Sequence, residues 1–476
     1  MNDAQAPDTS LAAPLVSSWL DDLRTTSGRT DGNSRVRTPA HAHVFYGSAA
    51  RFKADTFTKM RAIACATWEK YFPSAHHLTA LGSPIAELPV DKLSSLHTRI
   101  AQKLSRHPVE SFRIDFEDGL GPCDDRNEDV FTRNAATSLH AALGESASHD
   151  KAFVEPKEVG IRLKALQPAT AHRALRTLDI FFNCWRNISP ARGGHDFVVT
   201  LPKVERAAEV RILREALEQM ETRLGWPAGT IGIEVMVESP ALLFPGPDQQ
   251  TAADSLEEVL AAGKKRVRSV HFGIYDFLAA ANIDAPHQKH AHPLARRARE
   301  ELLLRTWHAG IHAVDGATHE MPIGPHRAAA NESLSPKQED ENRSIVGHAL
   351  NIHMQNVLRA FETGLRCGWD LHPAQLIARW TAVLHSYRYD LRNQLERLLS
   401  YLERAKQADR TGAYFDDAAS AAGVFHFFRN GWRLGAIDDS DLEQAGWSDA
   451  QVQLVLSEFG FTSTCNESRG SPKLRG

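Results

Sequence analysis

Residues 197–237 read FVVTLPKVERAAEVRILREALEQMETRLGWPAGTIGIEVMV and indicate the fold class. Short apolar, β-branched runs at Phe197–Leu201 and Ile231–Val237 predict two strands. The intervening segment Arg206–Leu224 has apolar residues at helical spacing, at Val210, Leu213, Leu217, Met220 and Leu224. Gly225 follows as a helix stop. A strand, a helix and a second strand in this order predict two parallel strands joined by a crossover helix.

The same alternation of strand-like and helix-like segments continues along most of the chain. Short apolar runs predict eight strands, at Ala42–Tyr46, Ser111–Phe116, Val159–Leu163, Phe197–Leu201, Ile231–Val237, Val270–Phe272, Ile311–Val314 and Trp369–Leu371. Eight parallel strands with helices between them can close into a barrel, which leaves no strand edge unpaired. We therefore predict an α/β fold, a (β/α)8 TIM barrel with insertions and a C-terminal helical extension. A doubly wound open sheet is the alternative.

Composition and periodicity predict how the chain is divided. The predicted parts are an N-terminal segment and linker at 1–38, the barrel at 39–394, an amphipathic helical extension at 395–460 and a flexible tail at 461–476. Two segments exceed a minimal barrel, namely 72–106 and the polar run 319–344. Because the second follows the seventh strand on the catalytic face, we predict that it is a lid insertion.

Charge and cysteine content limit the partners and the compartment. The net charge of −4 over 476 residues, without a Lys/Arg-rich block, argues against a nucleic-acid partner. The five cysteines are scattered and form no C-x-x-C pair, which argues against a disulfide framework and favours a reducing, cytoplasmic compartment. The N-terminus has no secretory signal pattern, and no apolar run has the length of a membrane span. We expect a cytoplasmic protein without a membrane partner.

Charged and polar side chains follow nearly every predicted strand. In strand order they are Asp115, Glu117 and Asp118; Arg162 and Lys164; Lys203 and Glu205; Glu238; Asp276; Asp315; and His372. The C-terminal ends of barrel strands meet at one mouth, where active sites of this fold lie. Buried charges must pair with each other, with a metal or with a ligand. The convergence therefore predicts a functional site.

The carboxylates of Glu238 and Asp276 predict a site for Mg²⁺ or Mn²⁺, because two acids on separate strands suit a hard, oxygen-preferring cation. Other readings stay open for single residues. Glu205 and Asp315 can cap helices. Cys123 is either a nucleophile or, as we favour, a packed thiol, and Lys203 is either a Schiff-base lysine or a salt-bridge partner of the acids. No phosphate-binding glycine loop follows a strand.

The motifs between about 110 and 376 resemble those of the HpcH/HpaI aldolase and citrate lyase β-subunit group, a relative of malyl-CoA lyases and malate synthases. In order, the matching motifs are IDFEDG at 114–119, IRL at 161–163, LPKVE at 201–205, MVESP at 236–240, FGIYD at 272–276, AVDG at 313–316 and WDLHPAQ at 369–375. The long first connection, the insertion near 319–344 and the C-terminal extension depart from the family pattern. The chain is therefore similar to a divergent bacterial branch of this group.

This resemblance implies a Mg²⁺-dependent carbon–carbon lyase that handles the enolate of a 2-oxo acid or acyl thioester. It implies metal ligands at Glu238 and Asp276, catalytic residues at Glu117, Asp118 and Arg162, and substrate-binding residues at Asp115, Arg162, Lys203 and His372. It also implies a homo-oligomer, and it leaves open whether the acyl group arrives as a CoA thioester. Three alternatives remain: a thioester hydrolase, a phosphoenolpyruvate-type phosphotransferase and a non-catalytic metabolite-binding protein.

Overall fold

A computed structural model describes residues 41–149, 153–189, 196–244, 254–329, 332–407, 418–438 and 441. Its sheet consists of eight parallel strands: β1 (His43–Ser48), β2 (Ser111–Asp115), β3 (Glu158–Arg162), β4 (Asp196–Leu201), β5 (Gly232–Val237), β6 (Val267–Phe272), β7 (His312–Val314) and β8 (Gly368–Asp370). Neighbours in sequence pair with each other, and β8 pairs with β1. The barrel closes between β7 and β8, where the Asp315 backbone N–H donates to the Cys367 carbonyl at 2.8 Å. The predicted (β/α)8 barrel is confirmed, and the open sheet is excluded.

Helices cover the outside of the barrel. They are α1 (Thr56–Tyr71), α2 (Val90–Arg106), α3 (Asp125–His149), α4 (Ala171–Ile188), α5 (Ala207–Leu224), α6 (Pro240–Leu243), α7 (Leu256–Ala262), α8 (Ile274–Ala280), α9 (Pro293–Ala309), α10 (Pro336–Thr363), α11 (Gln375–Arg388), α12 (Leu391–Gln407) and α13 (Ala418–Arg433). Short 3₁₀ helices lie at Ala75–Leu81, Ile85–Glu87, Lys264–Arg266 and Ala285–His287. In the described part of the chain, no helix has the length and hydropathy needed to cross a membrane.

Local sequence signals explain where these helices begin and end. Helix α5 stops at Gly225, whose φ of 70° is left-handed and whose amide donates to the last turn. Helix α10 begins after Ser335, whose hydroxyl accepts from the Gln338 amide in a capping box. The end of the predicted lid, 336–344, is therefore helical. Segments 1–38 and 461–476 lie outside the described residues, and the proposed part boundaries stay predictions.

The barrel interior contains buried charged groups beside a small apolar cluster, which consists of Val44, Tyr46, Met236, Val314 and Cys367. Glu234, Met236 and Glu238 alternate along β5 and point inward, since successive side chains of a strand face opposite sides. The innermost of these, Glu234, accepts two hydrogen bonds from the Arg113 guanidinium, each at 2.7 Å. Arg113 also pairs with Glu158 of β3. The same alternation that buries Glu234 places Glu238 at the mouth.

Candidate active site

Three carboxylates meet at the mouth of the barrel. They belong to Asp118 in the loop after β2, Glu238 after β5 and Asp276 in the first turn of α8. One oxygen from each lies within 4.8 Å of the others. Glu238 is buried, whereas Asp118 and Asp276 are exposed. An all-carboxylate set with two solvent-facing members is the donor chemistry that Mg²⁺ prefers, because this ion keeps several waters.

Glu238 carries a charge that its surroundings stabilise poorly. Burial, followed by the neighbouring Asp276, raises its pKa to about 7. One oxygen, Oε2, accepts the Lys203 backbone N–H at 2.5 Å. That amide points at Glu238 from a residue with a left-handed φ of 51°. A cation between the carboxylates would relieve the repulsion, so these residues fit a bound divalent metal.

A glycine at the end of β6 makes room for the Glu238 side chain. A Cβ atom at Gly273 would lie 2.3 Å from Glu238 Cγ and 3.1 Å from its Oε1. Contacts below 3.0 Å are not tolerated without movement of one partner. Any larger residue at position 273 would therefore displace the buried Glu238 carboxylate.

Arg162 is held rigidly beside the carboxylates. Its Nε and Nη2 donate to the two oxygens of Asp115 at 2.7 and 2.5 Å. Asp115 also accepts the backbone N–H groups of Glu117 (2.9 Å) and Gly119 (2.8 Å). The remaining nitrogen, Nη1, lies 3.3 Å from Glu117 and 3.6 Å from Asp118. Because both oxygens of Asp115 are occupied by these hydrogen bonds, Asp115 is suited to position Arg162. The Nη1 atom is the part of Arg162 that faces the mouth.

Glu117 and Asp118 form a linked acid pair under Lys203. The Lys203 ammonium donates to Glu117 and, at 3.1 Å, to Asp118. Burial raises the pKa of Glu117. Burial acts in the same direction on Asp118, but the hydrogen bond with Glu117 and the Arg162 charge outweigh it and lower the Asp118 pKa. Within the pair, Glu117 therefore holds a proton more readily than Asp118.

The other predicted site residues are placed differently. His372 accepts the Ala374 backbone N–H at 3.2 Å, and burial lowers its pKa. Asp315 is buried in a pair with Arg299 (2.6 Å) and His290 (3.0 Å), which favours the structural reading for this acid. The thiol of Cys123 contacts the Asp124 carbonyl at 3.4 Å, and burial raises its pKa, as fits a packed cysteine.

Two features of the mouth were not anticipated from the sequence. Asp118, which the resemblance assigns as a catalytic residue, lies together with Glu238 and Asp276, the two predicted metal ligands. Tyr275, directly before Asp276, stacks on His319 with ring centroids 3.3 Å apart. The His319 backbone N–H also donates to the Tyr275 hydroxyl at 3.2 Å. The segment after β7 therefore contacts the side of the mouth where Asp276 lies. The position of Tyr275 next to this predicted ligand was the available signal in the sequence.

Comparison with known proteins yields a family and distant relatives. Residues 24–457 match the profile of a family described as Domain of unknown function (DUF6986). The glyoxysomal malate synthase of Cucumis sativus is 23% identical over 304 residues, which cover 56% of this chain and 50% of the relative. Malate synthase of Arabidopsis thaliana is 24% identical over 270 residues, which cover 50% and 45%. The chain spans about half the length of these curated relatives.

Solved structures give more distant likenesses. The Haloferax volcanii malate synthase lead(II) complex is 13% identical with a TM-score of 0.44, covering 88% of this chain and 99% of that one. Mycobacterium tuberculosis CitE with magnesium and acetate is 14% identical with a TM-score of 0.38, covering 72% and 90%. The sequence relatives confirm the malate synthase part of the predicted resemblance. Membership of the HpcH/HpaI branch stays a prediction.

Proposed function

We propose that this chain, which belongs to the DUF6986 family, is a Mg²⁺-dependent enzyme that makes or breaks a carbon–carbon bond. The observation that carries the proposal is the set of Asp118, Glu238 and Asp276 oxygens within 4.8 Å of one another, beside an anchored arginine. Sequence relatives that carry the name malate synthase support this chemistry. The substrates we propose are a 2-oxo acid such as glyoxylate and an acyl thioester.

The metal is assigned to the three carboxylates, with Mn²⁺ as a substitute for Mg²⁺. When bound there, the cation would supply the positive charge that stabilises an enolate or keto oxygen. The raised pKa of Glu238 supports this assignment, because a carboxylate at this position gains most from a neighbouring cation. His372, which follows β8, is proposed to contact the substrate.

Arg162 is proposed to bind the negative charge of the substrate. Asp115 fixes two of its nitrogens, so Nη1 needs no reorganisation to meet an oxygen that becomes more negative during the reaction. Lys203 holds Glu117 and Asp118 in place from the other side. Of the two acids, Glu117 is proposed to hold or move the proton, because burial raises its pKa.

The test is an assay of the purified full chain with glyoxylate and acetyl-CoA, with Mg²⁺ or with EDTA. We expect Mg²⁺-dependent release of free CoA together with a new carbon–carbon product identified by mass spectrometry. Free acetate without a joined product would favour the hydrolase instead. Tight binding of metal and oxo acid without turnover across a panel of 2-oxo acids and thioesters would favour the metabolite-binding alternative, and nucleotide-dependent turnover would favour the phosphotransferase.

Matched variants connect that activity to the site. Glu238→Gln should abolish turnover, whereas Glu205→Gln should leave it nearly unchanged, since Glu205 is an exposed acid after the neighbouring strand β4. Equal activity of the two variants would remove the carboxylate set from the mechanism. The homo-oligomeric state and the cytoplasmic location stay predictions.

A further inference from the structure

A large cavity lies away from the carboxylates. Its volume is about 1040 Å³, and residues of α10, α11, α12 and α13 line it. Helix α11 begins just after β8, at the mouth, yet the cavity is lined by its C-terminal residues His385–Tyr387. Arg366, which precedes β8, lines the cavity as well. The cavity is thus at the end of the barrel opposite the metal carboxylates, and its features are independent of the proposed function.

Positive groups dominate its lining. The charged and titratable side chains described there are Arg359, Arg366, Arg397, His385, His426 and Glu362. Arg366 donates through Nε to the Tyr387 hydroxyl (3.1 Å) and through Nη1 to the Gly364 carbonyl (2.8 Å), both uncharged acceptors. Within the described ranges, no carboxylate lies at ion-pair distance from Arg359 or Arg366. We call this site the basic cavity.

The neighbouring groups reinforce the positive character of the basic cavity. His426 Nδ1 lies 2.7 Å from Arg429 Nη2, so the arginine donates and the neutral ring keeps Nε2–H as its own donor. Burial, then Arg433 and Arg366, lower the pKa of Arg429. His385 Nδ1 is buried without a hydrogen-bond partner among the residues that the structure describes. Among the described lining residues, the cationic and donor groups outnumber the single acid, Glu362, which favours an anionic ligand.

The size and walls of the basic cavity point to an organic anion. Its volume is at the upper end of the range for metabolite and cofactor sites, far above the need of a single inorganic ion. Phe361, Tyr387 and Phe427 supply aromatic walls for the body of such a ligand. Arginines from three separate segments, α10, α12 and the segment before β8, line the same cavity. That arrangement suits a tetrahedral phosphate with several oxygens better than one planar carboxylate.

We propose that the basic cavity binds a small organic phosphate, with the phosphate on Arg359 and Arg366 and the body against the aromatic rings. The test is titration calorimetry of the full chain with ADP, with pyrophosphate and with citrate. All titrations are made at constant ionic strength and in EDTA, so that no metal bridges the phosphate to the mouth carboxylates. We expect one ADP per chain, weaker binding of pyrophosphate because it lacks an apolar body, and still weaker binding of citrate.

Single substitutions test whether ADP binds in the basic cavity. Arg359→Gln and Arg366→Gln should each weaken ADP binding about tenfold or more, as expected for loss of a charge-assisted hydrogen bond. Arg343→Gln, an exposed arginine near the start of the same helix α10, should bind like the unaltered chain. Glu238→Gln should also bind ADP normally. Because Arg359 is exposed, its variant decides the question even if Arg366→Gln fails to fold.

Three results would overturn the proposal. One is the absence of ADP binding to the unaltered chain. Another is ADP binding that Arg359→Gln leaves unchanged, since the phosphate would then lie elsewhere. The third is citrate binding at least as tight as ADP binding, which would assign the basic cavity to carboxylates.

Discussion

The surroundings of Glu238 disfavour the charged form of its carboxylate. Its ordinary pKa of 4.5 is raised to about 7 by burial and by Asp276. The metal-free folded state therefore holds this proton more tightly than the unfolded chain does. By linkage, Glu238 makes the metal-free protein less stable as the pH rises from about 4.5 to about 7. The same proton competes with Mg²⁺, so metal affinity should increase over this range.

Glu238→Gln should remove this loss of stability. In EDTA, the free energy of unfolding of the unaltered protein should fall between pH 5 and pH 8. Measured against the unaltered protein, the variant should therefore be more stable at pH 8 than at pH 5 by on the order of 3 kcal/mol. It should lose the stabilisation by Mg²⁺. Urea unfolding at the two pH values measures both effects, with Glu205→Gln as the control. A Glu238→Gln protein that is markedly less stable at both pH values would instead indicate a structural ion-pair cluster.

Arg162→Lys tests the geometry of the anchored guanidinium. Lysine keeps a positive charge near buried Asp115 but cannot bind it through two nitrogens while presenting a third to the mouth. We expect a folded protein whose kcat falls about 100-fold, since the lost donor acts on charge that develops in the reaction. Steady-state kinetics with glyoxylate and acetyl-CoA measure the change. A rise in KM alone would show that Arg162 contributes only to ground-state binding.

The junction between β6 and α8 sets the position of Glu238, a proposed metal ligand. Gly273→Ala places a Cβ 2.3 Å from Glu238 Cγ, so the carboxylate must move. We expect Mg²⁺ affinity to fall at least about tenfold, because near-ideal ligand positions are required for this ion. Calorimetric titration with Mg²⁺ measures the effect. Gly347→Ala in α10, where a Cβ meets nothing within 4 Å, is the matched control and should bind Mg²⁺ normally.

The segment after β7 is the proposed lid, and its two ends differ. Its first part is attached to the mouth by the His319–Tyr275 stack, while Gln375 Nε2 donates to the Thr318 carbonyl at 2.9 Å. Its last part, 336–344, belongs to α10. We predict that Mg²⁺ with glyoxylate slows hydrogen exchange in 319–329 and leaves 336–344 unchanged. Unchanged exchange in 319–329 would contradict a lid that closes on ligand.

On the scale of the whole molecule, the barrel depends on ion pairs in its interior. Arg113 is fully buried between Glu234 and Glu158. Arg113→Met should lower the free energy of unfolding by about 3–5 kcal/mol, because it leaves buried carboxylates without a cation. The double variant that also carries Glu234→Gln should recover part of the lost stability, because one of the two carboxylates left without a cation is then neutral. Urea denaturation measures both variants, and a loss below about 1 kcal/mol in Arg113→Met would contradict the assignment.

The barrel and its functional end follow from sequence because the responsible signals are local. The alternation of apolar runs and amphipathic helices predicts parallel strands, and all eight predicted runs overlap observed strands. Chain direction then places Glu238, Asp276 and Arg162 at one mouth, since every parallel strand ends there. No distance between side chains is needed for this inference.

Tertiary structure decided which of these residues meet. Glu117 and Asp118 are adjacent in sequence and both contact Lys203 and Arg162, yet of the two only Asp118 lies in the group with Glu238 and Asp276. Asp315, also at a strand end, is neutralised by Arg299 instead. The basic cavity joins residues of four helices. These outcomes depend on barrel closure and on packing between segments far apart in sequence, and periodicity carries no information about either.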